Sequence, residues 1–160
     1  MEIHVSENRV TEFREVPPFL FDLLKEIGTA GASMDPRVEG RLYPSPVDRS
    51  DDAMIREDWN AFVQPDLQAG FQAARDTVQA DLRGASNDAG FWTLEIPANH
   101  IEAWLNALNQ ARLAISEENH FGENELAEEL SLQPESSRDR ALLQMHFYGM
   151  IQEWFVRILD

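Results

Sequence analysis

Residues 138–159 read RDRALLQMHFYGMIQEWFVRIL and contain the strongest amphipathic pattern in the chain. Apolar side chains recur there every three or four residues, which is the spacing of one helical face. The stripe consists of Leu143, Phe147, Met150, Ile151, Trp154, Phe155 and Ile158. This stretch predicts a long final helix with a buried face, begun by Ser136 and Ser137 as capping residues. It favours a mainly α-helical fold.

Earlier segments carry the same helical spacing. One helix begins at Pro17 and Pro18, since proline is tolerated in the first turn, and ends near Gly28, a natural C-terminal cap. Another follows Pro97, with an apolar stripe over residues 101–115. We therefore expect about five helices in an orthogonal or bundle-like array. The predicted core rests on three tryptophan-bearing stripes, which contain Trp59, Trp104 and Trp154.

A further helix is predicted after Ser50, with acidic residues in its first turn. Its apolar residues are expected to form a buried stripe. They are Met54, Ile55, Trp59, Phe62 and Val63. Pro65 lacks an N–H and clashes with the preceding turn, so we expect a kink or a new helix start there. A narrower apolar stripe then continues to about Arg83.

Two short regions have the alternating pattern of β-strands. Residues 1–16 predict a strand or hairpin, and residues 90–96 predict one further strand. Paired, they would form a small antiparallel sheet. The predicted fold class is thus mostly α, or α+β at the margin, in a single domain of residues 1–160. Residues 28–50 are expected to form an irregular arginine-bearing loop, and residues 116–136 an acidic loop.

The chain is strongly acidic. Its 29 acidic and 13 basic residues give a net charge of −16, and Lys25 is the single lysine. Such a surface repels phosphate backbones, so we expect no nucleic-acid partner. No apolar stretch is long enough to cross a membrane, and the first residues do not resemble a signal peptide. Together with the absence of cysteine, these features predict a cytoplasmic protein with no membrane partner.

Motifs that carry enzyme chemistry are missing from the sequence. There is no G-x-S-x-G, no S-x-x-K and no phosphate-binding loop, and the four histidines form no metal-binding motif. We expect no cofactor and no metal. The sequence favours a non-enzymatic protein, with an enzyme as the alternative.

One group of arginines is a candidate ligand site. Arg37 and Arg41 lie close to Tyr43 and could bind an anion or a carboxylate. Acidic neighbours such as Asp35 and Glu39 offer the other interpretation, in which the arginines form salt bridges.

A second candidate is the polar pair Asn109 and Arg112 on the helix that contains Trp104. Both lie on or near the apolar stripe, where a buried polar group must find a partner. Arg112 could pair with a carboxylate such as Glu153, and Asn109 could hold a loop backbone. Alternatively, both side chains could join Arg37, Arg41 and Tyr43 in one pocket.

Three motifs resemble a known bacterial family. They are GRLYP at 40–44, AWLNALNQARL at 103–113 and YGMIQEWFV at 148–156. Their order is similar to that of an uncharacterised family catalogued as domain of unknown function 2017, although Gly149 and Met150 replace its usual Trp-Leu step. The resemblance implies no established activity. Through gene context it implies a link to Clp-type proteolysis, and some members are labelled transcriptional regulators.

Three hypotheses follow. The first is a non-enzymatic interaction or regulatory protein with a protein partner, in which a homo-oligomer is also possible. The second is a small anionic-ligand binder or enzyme with a site near Arg37, Arg41 and Tyr43. The third is a DNA-binding regulator, which the net charge of −16 opposes.

Overall fold

A computed structural model of the protein describes residues 1–44, 46, 53–127 and 133–160. The strands are β1 (Glu2–Val5), β2 (Thr11–Val16), β3 (Ser86–Asp88) and β4 (Phe91–Ile96). The helices are α1 (Pro18–Lys25), α2 (Ile27–Gly31), α3 (Pro36–Leu42), α4 (Ala53–Asp58), α5 (Gln64–Arg83), α6 (Ile101–Asn119), α7 (Glu123–Leu126) and α8 (Ser137–Leu159). A π-helical turn (Trp59–Val63) joins α4 to α5, and a 3-10 turn (Ala98–His100) leads into α6. The predicted fold class, mostly α with a small antiparallel sheet, is confirmed.

The sheet has the strand order β1-β2-β4-β3, and all neighbours are antiparallel. The predicted N-terminal hairpin and the strand within residues 90–96 therefore pair as expected, with Phe13 opposite Leu94. The register shifts between Phe13 and Val16, where Glu15 adopts a φ of 51°. Strand β3 was missed, because its residues Ser-Asn-Asp are exposed and carry no alternating pattern.

An aromatic cluster joins the sheet to helices α6 and α8. Phe13 from β2 lies with its ring centroid 5.9 Å from Phe155 of α8 and 6.4 Å from Trp104 of α6. All three side chains are fully buried. The indole Nε1 of Trp104 donates to Asp81 Oδ2 at 2.8 Å, and His100 Nδ1 lies 2.9 Å from Oδ1 of the same carboxylate. Asp81 thus ties α5 to the start of α6.

A polar network fastens α8 to the end of α1. The buried hydroxyl of Tyr148 donates to the carbonyl of Leu23 and accepts from Gln144 Nε2 at 2.7 Å. Beside it, Arg140 makes a two-pronged contact with Glu26, at 2.6 and 2.9 Å. Burial raises the pKa of Tyr148, so the hydroxyl keeps its proton and stays a donor.

Two loop predictions were wrong in part. Residues 28–42 contain most of α2 and all of α3. Helix α3 forms because Asp35 caps it and Pro36 suits its first turn. Residues 116–119 extend α6, and α7 lies inside the predicted acidic loop. The remaining parts of these predictions, residues 45, 47–50 and 128–132, lie outside the described residues.

The predicted burial of the stripe from Met54 to Val63 was also wrong. None of its residues is buried, and Met54 and Phe62 are 78% and 71% exposed. The new helix start expected at Pro65 takes the form of a change in helix type: the π-helical turn ends at Val63, and α5 starts at Gln64 with the proline in its first turn. Of the three tryptophan stripes, those of Trp104 and Trp154 reach the main core. Spacing identified an apolar face at Trp59, but no buried core cluster of the described residues includes it.

We expect Tyr148→Phe to lower the free energy of unfolding by about 1–2 kcal/mol, because buried polar groups of Leu23 and Gln144 each lose a partner. Urea denaturation followed by circular dichroism measures this. Tyr43→Phe is the matched control, since Tyr43 lines an open cleft and a phenylalanine there keeps the ring contact with Phe71. Equal losses in the two variants would contradict the role given to Tyr148.

Candidate functional site

Arg37 is held at the start of α3 by the carboxylate that caps the helix. Asp35 accepts from the backbone N–H of Arg37 at 2.9 Å and from its Nε and Nη2 at 3.1 and 2.7 Å. These bonds to Arg37 lower the pKa of Asp35 to about 2 and raise the pKa of Arg37 itself. Arg37 Nη1 also lies 2.6 Å from Nε2 of His120, which ends α6.

Arg41 faces the same end of α6. Its Nη1 lies 3.0 Å from the Glu117 carboxylate, and one turn before α3 the Ser33 hydroxyl donates to Glu118. Both arginines of the predicted site therefore have a carboxylate partner, as in the salt-bridge interpretation. These pairs are largely exposed, so each stabilises the fold only slightly. Their combined effect is to hold α3 against the acidic end of α6.

Tyr43 lies on the other side of α3, towards α5. Its ring packs against Phe71 with centroids 5.4 Å apart, and burial raises the pKa of its hydroxyl. Tyr43 and Arg75 border a cleft of about 380 Å³, together with Gln72 and Glu39. The cleft therefore contains one guanidinium and one carboxylate.

A buried amide forms the polar centre between α2, α5 and α6. Gln110 is 1% exposed, and its Oε1 accepts from Arg75 Nη1 at 2.5 Å. Its Nε2 donates to the carbonyl of Phe71 at 3.2 Å and to Asn106 Oδ1 at 2.6 Å. Gly31 makes this possible, since a Cβ there would lie 3.1 Å from the Gln110 Cβ. Sequence reasoning missed Gln110 because it placed Asn109, one residue earlier, on the apolar stripe.

The two predicted residues of α6 differ from expectation. Asn109 is exposed. Arg112 is half-buried and donates through Nη1 to Gln152 Oε1 at 2.6 Å, not to the carboxylate of Glu153. Glu153 instead pairs with Arg157, one turn further along α8. The expected Arg112–Glu153 pair was therefore wrong, because the helix register presents the neighbouring amide to the guanidinium.

Arg112 borders a cleft of about 610 Å³. We call it the α6–α8 cleft. Its lining includes Arg112, His146, Leu126, Leu143, Phe147 and Met150, with Gly149 and Glu153 beside them. Two nitrogen atoms of these lining residues, Arg112 Nε and His146 Nε2, are inaccessible to solvent and have no hydrogen-bond partner in the part of the chain that the structure describes.

The five predicted ligand residues thus occupy separate places. Arg37 and Arg41 contact the C-terminal end of α6, Tyr43 faces α5, and Arg112 faces α8. The five side chains therefore do not line one pocket and cannot all bind the same small ligand. Within residues 1–44, 46, 53–127 and 133–160, no three His, Asp or Glu side chains are grouped so as to hold a metal ion.

The family model described as Domain of unknown function (DUF2017) matches residues 2–159. The chain belongs to this family. The resemblance seen in the three sequence motifs is therefore confirmed over nearly the whole DUF2017 chain. Comparisons with curated proteins and with solved structures give no match. In the part of this DUF2017 protein that the structure describes, no helix has the length and apolar character needed to cross a bilayer.

The Asp35 cap predicts a pH dependence. Its folded-state pKa of about 2 is below the ordinary value of about 3.9, so its stabilising effect is complete above that value and is lost as the pH falls through about 2. In Arg37→Gln the pKa of Asp35 should rise, though not fully, because the backbone N–H of residue 37 remains. Carboxyl-carbon NMR titration measures both values.

Arg41→Gln is the control for that titration, since Arg41 pairs with Glu117 and not with Asp35. It should leave the midpoint of Asp35 unchanged. A midpoint near the ordinary value in the unmodified protein would contradict the proposed capping pair.

Proposed function

We propose that this DUF2017 protein is a non-enzymatic interaction protein that binds a protein partner through a projecting helical arm. The docking arm comprises residues 53–70, which include α4, the π-helical turn and the first part of α5. The partner is a protein with an apolar groove bordered by basic side chains. The exposed apolar face of the arm is the observation that carries this proposal.

The arm has no buried residue. All of residues 53–73 are described, and the first buried side chain of α5 is Ala74. An α-helix rises about 1.5 Å per residue, so α5 with its 20 residues is about 30 Å long. Its second half packs on the core through Ala74, Val78 and Leu82, and Phe71 packs against Tyr43, whereas none of residues 53–70 is buried.

The exposed face of the arm is strongly apolar. Met54, Ile55 and Phe62 are 78%, 51% and 71% exposed. Ile55, Trp59 and Phe62 also border an open cleft of about 430 Å³. Contiguous apolar surface of this kind marks protein interaction sites, and an amphipathic helix that enters a partner's groove is a recurring form of recognition. Large apolar anchors, tryptophan above all, supply most of the binding energy in such contacts.

The negative charge of the chain indicates that the partner's groove is bordered by basic side chains. Exposed Glu57, Asp58 and Asp66 surround the apolar residues of the arm, and the whole chain carries a net charge of −16. Opposite charges around an interface accelerate association, and like charges oppose it. A basic groove therefore fits the arm better than a second copy of this chain. A component of a Clp-type protease, which the family resemblance implies, is one partner to include in a test.

The first variant to test is Phe62→Glu. Because Phe62 is exposed, this change should alter the free energy of unfolding by less than about 0.5 kcal/mol. Partner binding should nevertheless be lost, since a carboxylate would enter an apolar groove. Met34→Glu is the matched control, because Met34 is 85% exposed and lies outside the arm. Urea denaturation of both variants measures their stability.

The binding experiment has two stages. The unmodified chain and the two variants are first used as baits in lysate of the organism that encodes the chain, and captured proteins are quantified by mass spectrometry. A protein that is lost with Phe62→Glu and retained with Met34→Glu is then purified and titrated against all three chains. We expect direct binding that weakens with added salt.

Three results would overturn the proposal. Proteins could be captured equally by all three baits, or a purified candidate could bind Phe62→Glu as tightly as the unmodified chain. Sedimentation could instead show self-association that Phe62→Glu abolishes, which would make a second copy the occupant of the arm.

A further inference from the structure

We propose that the α6–α8 cleft binds an apolar molecule that carries a single carboxylate group. The apolar part would lie along Leu143, Phe147 and Met150, and the carboxylate would meet the guanidinium of Arg112. This site is separate from the docking arm, so either proposal can fail without the other.

The dimensions and lining of the cleft suit an apolar small molecule. Its volume of about 610 Å³ falls within the range of ligand pockets, roughly 300–1,000 Å³. Leucine, methionine and phenylalanine side chains from α1, α7 and α8 form most of its wall. Ligand sites typically have such an apolar wall with a few polar groups that orient the ligand.

Arg112 has unused hydrogen-bonding capacity at this cleft. A guanidinium has five N–H donors. Among the described residues, Arg112 makes one hydrogen bond, from Nη1 to the neutral Gln152 amide, and no ion pair with a carboxylate. Nε is shielded from solvent without a partner. Burying a positive charge without an ion-pair partner costs desolvation free energy. A carboxylate that accepts from the N–H groups of Arg112 would offset this cost.

His146 adds a second polar group to the wall. Its Nε2 is likewise shielded and without a partner. Arg112 and His146 come from different helices, α6 and α8, so the fold places two unsatisfied nitrogen donors or acceptors at one cleft. Both nitrogens are shielded behind the cleft surface, so a ligand carboxylate would meet the remaining N–H groups of the half-buried guanidinium and not these two atoms.

Gly149 makes room for the guanidinium on α8. A Cβ built at Gly149 would lie 3.4 Å from both Cζ and Nη2 of Arg112. Alanine would make an ordinary contact there, but a longer side chain would enter the space that Arg112 occupies. The small residue at this position therefore lets the charged group reach the α8 side of the cleft.

The surroundings favour one carboxylate over a phosphate. Among the described residues that line the cleft, Arg112 is the single arginine or lysine, and Glu153 is the single carboxylate. A dianion would meet this carboxylate and the field of a chain with net charge −16. Glu153 is neutralised in part by Arg157 and is well exposed, so solvent screens its effect on a monoanion.

Decanoate and decanol are the probes, since they share an apolar chain and differ in the carboxylate. Isothermal titration calorimetry with the full chain should show saturable binding of one decanoate per chain. Decanol should bind at least about tenfold more weakly, because it cannot form the charged bond to Arg112. Equal affinity for the two probes, or no saturable binding of decanoate, would overturn the proposal.

Arg112→Gln tests the residue directly. Decanoate affinity should fall by about tenfold or more, while decanol affinity should stay unchanged. Arg157→Gln is the matched control: it removes an exposed arginine on α8 that does not line the cleft. An unchanged decanoate affinity in Arg112→Gln, with the fold confirmed by circular dichroism, would overturn the proposal.

A measurement on the unmodified chain covers the case in which Arg112→Gln does not fold. A decanoate analogue with a photoreactive diazirine at the end of its chain should label residues of the cleft wall, such as Leu143 or Met150. Excess decanoate should compete for this labelling, and excess decanol should not. Labelling confined to the docking arm or to other surfaces would overturn the proposed location.

Discussion

Helix α6 packs against other elements on most of its sides, and this packing constrains the rest of the molecule. It packs against α2, α3, α5 and α8, and its Trp104 meets the aromatic residues of the sheet and of α8. Three of its buried residues are alanines, Ala107, Ala111 and Ala114, which allow neighbouring helices to approach closely. Little of the α6 surface is exposed. A polar side chain on α6 therefore lies on that exposed face, forms a hydrogen bond with a neighbouring residue, or is buried without a hydrogen-bond partner.

The polar residues of α6 show each of these outcomes. Asn109 is exposed, and Gln110 is fully buried with partners on α5 and within α6. Arg112 is intermediate: one nitrogen is satisfied by Gln152, and another is shielded without a partner. Spacing along the chain placed Asn109 near the buried face and overlooked Gln110. One helical position is 100° of rotation, so neighbouring side chains can have opposite environments.

The packed surface around α6 also explains the projecting arm. The second half of α5 packs against α6, and the chain leading into it continues beyond the core with its apolar residues exposed. Elsewhere the exposed arginines Arg37 and Arg41 are engaged by acidic residues at the end of α6. The two surfaces that we propose for recognition are an apolar arm on an acidic molecule and an apolar cleft whose described lining contains one guanidinium. Neither resembles an interface for a phosphate backbone.

Local sequence determined the type of most elements, because helical and strand spacing are properties of neighbouring residues. It predicted α6, α8, the hairpin and the break before Pro65, and its motifs indicated the family. Burial was decided only by the tertiary structure. The stripes of Phe62 and Phe155 are both apolar in sequence, yet Phe155 is fully buried and Phe62 is 71% exposed. Periodicity shows that one face of a helix is apolar, but whether another element covers that face depends on contacts between residues far apart in the chain.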